Sequence, residues 1–512
     1  MSEGRRRRSS LKQRDRGGAG IKQLPLKRIV SPFDPVRILN DDQVEDIHNA
    51  SMRILEELGI ELMSAEARAL FRKAGADVDE ASGVVKLDWA LVADLIRTAP
   101  SEITVTPRNP ERSIILGGRN ISFSLVAGPP NVHDRERGRR AGNYQDYCDL
   151  VRLAQHFNII HLLGNQVVAP IDLPANSRHM DTYYANLSLT DKTFHVSAIG
   201  AGRARDGINM LAIARGKSLD EIQEEPGILT VISVNSPRRF DDSMADGLIE
   251  MARHGQVVVL TPFTLMGAMT PVTLAAGLAQ QNAEALFGIA LTQLVKPGAP
   301  AVYGAFTSNV DMKSGAPAFG TPENTKANIA SGQLARRYNL PYRTTNGNAA
   351  NCVDAQATYE TQMSLWGAIL GHCNLVYHAA GWLEGGLTAS FEKIMLDVEM
   401  LQHMAETLTP IDTSEAELAF DAMSEVPTGG HFFGTAHTME RYESAFYAPM
   451  LSDWTNYEAW ELAGAKTTTE RATELWKQAL EEYQQPQMDP AVDEALKDYM
   501  ARRREEIGAG EP

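Results

Sequence analysis

Eight short apolar runs recur through the middle of the chain, at 121–127, 159–168, 193–200, 229–235, 257–263, 301–306, 342–347 and 374–381. Each is followed by a stretch with helical patterning, near 142–156, 175–190, 204–216, 239–254, 271–296, 322–338, 354–371 and 388–407. Near-continuous apolar strands suit a parallel sheet buried on both faces. A doubly wound open sheet can be drawn from the same alternation, but eight strand–helix units are the signature of a closed barrel. The expected fold is therefore α/β, a (β/α)8 TIM barrel over residues 121–407.

The flanks read differently. Residues 31–120 form an N-terminal α+β portion. In it, Val44, Ile47, Met52, Ile54, Leu55 and Leu58 fall at helical spacing within 42–58, helices are expected at 64–75 and 88–98, and 101–124 is β-rich. Residues 408–512 follow the eighth unit as a C-terminal extension packed on the barrel, with helices at 468–484 and 490–506. Residues 1–30 read as a disordered basic arm. Arg5–Arg8 suggest an export signal, but Gln13–Gly18 stand where such a signal needs an apolar segment.

A net charge of −16 over 512 residues argues against nonspecific DNA binding, which needs a positive surface. No run of about 18 apolar residues offers a membrane span. The three cysteines, Cys148, Cys352 and Cys373, match neither CxxC nor a disulfide framework, so a reducing, cytoplasmic setting is expected.

A barrel holds its chemistry at the C-terminal ends of its strands. There the sequence places Asn235–Arg238, Pro262–Thr270, Tyr303–Ser308, Asn346–Asn351 and His378–Glu384. Aromatic faces beside a carboxylate suit a quaternary ammonium ion. Tyr303 and Phe306 either meet such an ion or simply pack. His378, followed by small residues, is the foremost catalytic candidate, as a neutral imidazole that orients a substrate; the alternative is a satisfied strand histidine. Glu384 could balance a cation, and Glu360 could face the barrel. Asp354, in the first turn of a helix, is equally explained as a favourable N-terminal charge.

Three decoys are set aside. Gly200-Ala201-Gly202 lacks the third glycine of a dinucleotide fingerprint. Asp46-Ile47-His48-Asn49-Ala50-Ser51 approaches the cobalt-ligating DxHxxG motif but ends in Ser51 inside an amphipathic helix. Cys352 lies near the top of strand seven, whereas His372 and Cys373 precede strand eight, so no zinc thiolate set forms and no metal is expected.

Several of these segments resemble the trimethylamine methyltransferase family. They are Met266–Ala275, Gln280–Glu284, Pro297–Gly304, Asp354–Glu360, His378–Gly381, Ser390–Lys393 and the tail Gly430–Thr438, and the similarity spans roughly 32–485. The resemblance implies a (β/α)8 barrel that moves a methyl group from a methylamine or betaine to Co(I) of a corrinoid (cobalamin) on a separate small protein docked over the mouth. The archaeal trimethylamine enzymes of that family carry pyrrolysine. This chain has none, which points to a quaternary amine such as glycine betaine, with trimethylamine or a sulfonium donor as alternatives. On this reading Tyr303, Phe306 and Trp382 face the cation, and Glu384 lies beside it. His378 orients the substrate with Gln356 and Glu360, and Asn346, Asn348 or Arg343 meets a betaine carboxylate. His431, Phe432 and His437 of the tail motif close the mouth. A homo-oligomer is expected. The rival readings are a zinc-dependent methyl transfer, a betaine-binding barrel without turnover and a structural subunit of a corrinoid complex.

Overall fold

A computed structural model describes residues 20–508. Eight parallel strands form the central sheet: β1 (Asn120–Leu125), β2 (Leu162–Leu163), β3 (Thr193–Phe194), β4 (Leu229–Ile232), β5 (Val257–Leu260), β6 (Ala301–Gly304), β7 (Tyr342–Thr345) and β8 (Leu375–Ala380). Their spatial order follows the chain, and β8 pairs back onto β1. A parallel bridge between His195 and Leu229 joins β3 to β4, with the Val196 N–H donating to the Leu229 carbonyl at 2.8 Å, and closes the barrel.

The helices after the strands are α1 (Tyr144–His156), α2 (Arg178–Leu189), α3 (Ala201–Arg215), α4 (Asp242–Arg253), α5 (Leu274–Val295), α6 (Pro322–Arg337), α7 (Ala355–Leu370) and α8 (Phe391–Thr407). Asn143, Asp241, Thr321, Asp354 and Ser390 cap five of them by accepting a first-turn backbone N–H. Each cap satisfies a donor that the helix cannot satisfy itself, which fixes where the preceding loop ends.

The flanks are built into the same core. The helix Asp41–Arg53, which widens to a π turn over Ile54–Leu58, packs on α5 together with Ala65–Lys73 and Trp89–Ile96. That cover explains why α5 is buried nearly all round and shows no polar stripe. The hairpin Glu102–Val105/Ile114–Gly117 plugs the barrel floor: Ile103, Val105, Ile114 and Leu116 pack with the inward-facing Leu229, Val257, Val259, Val302 and Leu375. The C-terminal helix α9 (Thr468–Glu481) lies on α8, and α10 (Pro490–Gly508) lies on α3.

The described part of the basic arm, residues 20–30, is tied to the rest of the protein at a few points although most of it is exposed: the Ile21 N–H donates to Glu482 at 3.0 Å, the Leu24 N–H to Gln402 at 2.7 Å, and Ile29 is buried. Ile21, Leu24 and Ile29 give this part an apolar side to bury. Arg5–Arg8 lie outside the described residues.

Candidate active site under the barrel mouth

Paired residues on neighbouring parallel strands face the same side. Leu375 and Tyr377 belong to the interior cluster, so their partners Arg343 and Thr345 also point inward. Arg343 is only 2% exposed, and its Nε and Nη1 have no hydrogen-bond partner. Its Cζ lies 4.8 Å from the Tyr377 ring centre and 5.8 Å from that of Phe306. Burial lowers its pKa to about 10, which still leaves it charged at neutral pH.

Tyr377 is held from two sides. The Asn165 N–H donates to its hydroxyl at 3.0 Å, and Nδ1 of His195 faces the same oxygen. The Val231 N–H donates to His195 Nε2 at 3.0 Å, so that nitrogen carries the lone pair and Nδ1 carries the proton. The phenol oxygen thus accepts twice, and its own proton is the one left over. Burial raises its pKa, so it stays a donor.

His378 breaks the strand alternation. Its φ is +54°, and the pairing of β8 with β1 shifts register between Val376 and Ala380. A non-glycine residue takes that conformation only when its surroundings impose it. Here the bulge brings His378 to the same side as Tyr377, with ring centres 4.6 Å apart. The Ala127 N–H donates to His378 Nδ1 at 3.1 Å, so the proton sits on Nε2. Burial, and then the charge of Arg343, keep the imidazole neutral.

Above these groups stands an aromatic wall. Phe263 and Phe306 are paired in register on a short parallel sheet, with ring centres 4.8 Å apart. Phe319 lies 5.2 Å from Phe306, and Trp382 lies 6.1 Å from both Phe306 and Phe319 and 4.3 Å from His378. Two devices hold Trp382. Its Nε1–H donates to the Asn348 carbonyl at 3.1 Å, and Asn348 Nδ2 donates back to its carbonyl at 2.8 Å. The neighbouring Gly381 N–H donates to Asp397 Oδ2 at 2.8 Å, and Asp397 is ion-paired with Lys393 in full burial.

The structure distributes the other sequence candidates as follows. Tyr303 points out of the barrel, because Val302 takes the inward position; its hydroxyl donates to Asn282 on α5 at 2.9 Å. Asn346 is buried, with Nδ2 on the Ala379 carbonyl at 3.1 Å. Glu360 accepts from the Ala349 and Ala350 N–H groups at 2.8 and 3.0 Å and from Gln356 at 2.8 Å, so this pair staples the loop after β7. Glu384 receives Arg139 at 2.9 and 3.0 Å, so its charge already has a partner in the chain. Asp354 caps α7. In the tail motif the Phe432 carbonyl accepts from Thr435 and the His437 carbonyl from Arg441, the His431 ring lies 5.6 Å from that of Phe433, and Phe432 is exposed while His437 is half-buried. Among the described residues no three His, Cys, Asp or Glu stand together as a metal-ligand set. Sequence reasoning passed over Phe263, Phe319, Tyr377 and His195. Phe263, Tyr377 and His195 were within reach, since all three fall in runs read as strands.

Buried neutral imidazoles make stability depend on acid. His195 and His161 are both held down to about 3 by burial, His161 also by Lys192. Below about 6.5 the unfolded chain takes up protons that these rings refuse. Stability is therefore complete above that pH and is lost as pH falls toward 3, by about 1.4 kcal/mol per pH unit for each ring. Urea denaturation at pH 7 and pH 5 should show the fall; equal midpoints would contradict it.

A closed barrel with a buried polar and aromatic cluster beneath its C-terminal face has the form of a small-molecule enzyme. The chain belongs to the trimethylamine methyltransferase (MTTB) family, whose profile matches residues 4–508. It is 37% identical over 472 residues to a glycine betaine methyltransferase of Desulfitobacterium hafniense (strain Y51), covering 92% of this chain and 98% of that one. It is 29% identical over 420 residues to a proline betaine:corrinoid methyltransferase of Eubacterium limosum, covering 78% and 84%. It is 28% identical over 485 residues to the trimethylamine methyltransferase MttB of Methanosarcina barkeri (strain Fusaro / DSM 804), covering 91% and 94%.

Proposed function

We propose that this chain transfers a methyl group from a quaternary ammonium compound, glycine betaine or a relative of it, to Co(I) of a corrinoid held by a separate small protein. The observation that carries the reading is the aromatic wall of Phe263, Phe306, Phe319 and Trp382 beside a neutral His378. A quaternary ammonium has no N–H to donate, and its charge is spread over its methyl groups. Aromatic faces attract it without hydrogen bonds.

The chemistry asks little acid–base work of the protein. Co(I) supplies the electron pair of the new Co–C bond, and the C–N pair stays on nitrogen, which leaves as a neutral tertiary amine. No proton moves. Glu360 and Glu384 can accordingly be committed to loop and ion-pair contacts. What the chamber must do is hold the N–CH3 bond toward the mouth and keep water out.

The rim supports a docked partner. Ile171, Ile199, Val272, Met312 and Leu387 come from five different strand-to-helix connections, Tyr359 from the start of α7, and each is 45–69% exposed. A ring of exposed apolar side chains marks a surface that another protein covers. The names of the relatives support both the donor and the acceptor. Among the described residues no helix is long and apolar enough to cross a membrane.

The test is a donor panel with reduced corrinoid, followed by absorbance: glycine betaine, carnitine, proline betaine, choline, dimethylsulfoniopropionate and trimethylamine. Turnover of a betaine is expected. Turnover of trimethylamine alone would overturn the donor class, and tight binding of a betaine without transfer would make the chain a binding protein.

A further inference from the structure

We propose that Phe319 is a plug, carried on a flap over residues 311–320 that swings out to admit the methyl donor and then lays the ring back over it. This rests on the onium reading of the aromatic wall and adds how a donor reaches it.

The site is shut as it stands. Arg343, Tyr377, His378, Phe306, Phe319 and Trp382 are each at most 7% exposed. Water reaches almost none of their surface, and a trimethylammonium group is far bulkier than water. One wall has to move before a donor can sit against the others.

Most walls are pinned. Phe263 and Phe306 stand on strands paired to each other, and Tyr377 and His378 on β8. Trp382 exchanges hydrogen bonds with Asn348, and its neighbour Gly381 is tied to Asp397. Phe319 is held differently. The chain leaves the strand Phe306–Val310 and is fixed again at Thr321, which caps α6 and donates to Asn309 Oδ1 at 2.9 Å. In between, residues 311–317 are exposed and Ala318 is half-buried. The tip is folded on itself: the Asp311 N–H donates to the Ala316 carbonyl at 2.8 Å, and the Gly315 N–H to the Asp311 carbonyl at 2.7 Å. The return strand is two residues, Pro317 and Ala318, and Pro317 has no N–H to give the ladder. The flap has two large side chains. Met312 is 69% exposed, so Phe319 is the one that anchors the flap in the core.

Two glycines shape the seat and its hinge. The Phe319 ring lies 3.2 Å from where a Cβ on Gly347 would stand, so bare backbone after β7 makes room for it. Gly320 has a φ of +69°, and a Cβ there would come within 2.4 Å of the Glu360 Cβ. The flap therefore ends against α7 in a residue whose backbone turns with no side chain to carry. Withdrawing the ring uncovers Phe306 and Trp382, whose ring centres lie 5.2 and 6.1 Å from its own. Laid back, it adds an aromatic face to the onium and keeps water from the methyl group during transfer.

The experiment separates a plug from a fixed wall. Association and dissociation rates of glycine betaine and of tetramethylammonium are followed by stopped-flow tryptophan fluorescence on the full-length protein. The proteins are the wild type, Phe319→Ala, Phe319→Leu and Phe263→Ala, the last removing a ring from a pinned strand. Phe319→Ala should speed both association and dissociation by about tenfold or more, because a site that stands open no longer waits for a minor state. Phe319→Leu should fall between it and the wild type, and decides alone if the alanine variant fails to fold. Phe263→Ala should speed dissociation and leave association unchanged. Faster dissociation with unchanged association in the Phe319 variants would make Phe319 a fixed wall, overturning the flap and leaving the onium reading intact. Association speeded as much by Phe263→Ala would trace the effect to a loosened core and overturn the flap too. If neither onium binds, the onium reading fails and the plug with it.

Discussion

Asp397→Leu should lower the unfolding free energy by about 3–5 kcal/mol, because it leaves Lys393 buried and unpaired. Lys393 is 1% and Asp397 0% exposed at the side chain, and Lys393 Nζ also donates to Thr361 at 2.8 Å. Asp397 further accepts the Gly381 N–H, which anchors the turn that carries Trp382. The substitution thus breaks an ion pair and frees a chamber wall in one step. Burial raises the Asp397 pKa, while the Lys393 ammonium opposes that shift. The companion Lys393→Met/Asp397→Leu removes both charges and should recover most of the lost stability while donor affinity stays impaired. Urea denaturation with a parallel binding measurement checks both. A loss below about 1 kcal/mol for the single variant would show that the pair is not doing what its burial implies.

Trp382→Ala should lower kcat/KM for the donor by about 30-fold or more. A desolvated cation–aromatic contact is worth about 2 kcal/mol, and the loss of its packing on Phe306 and Phe319 adds to that. Trp382→Phe should keep most of the activity, since it retains an aromatic face while losing the hydrogen bond to Asn348. The effect should fall mainly on KM. Steady-state kinetics with saturating corrinoid protein separate the two parameters, and circular dichroism confirms that the variant folds. An unchanged KM for Trp382→Ala would remove the tryptophan from the donor site.

The fold was readable because each barrel strand is buried on both faces. That leaves an uninterrupted apolar run in the sequence, and the helix caps punctuate the rest. The same property hid the orientation of individual residues. With both faces apolar, nothing in Ala301–Gly304 tells that Val302 points in and Tyr303 out; the register with β5 and β7 decides it. His378 was legible as a strand-end histidine, but its inward turn depends on a bulge against β1 that no local pattern announces. Glu360 and Glu384 were chosen for their charge near the mouth. Their actual partners, the backbone of Ala349 and Ala350 and the side chain of Arg139, come from other parts of the chain. Arg343 was legible as a charged residue low on its strand, but that two of its buried guanidinium nitrogens have no partner shows only in three dimensions.

The measurement closest to the central claim follows the methyl carbon itself. Glycine betaine labelled with 13C in its N-methyl groups is mixed with the chain, a reduced corrinoid protein and no further acceptor, and 13C NMR is recorded. The account predicts that one labelled methyl per turnover appears on cobalt and that dimethylglycine forms in equal amount. A label that stays entirely on nitrogen, with the corrinoid reduced and competent toward a control methyltransferase, would contradict it.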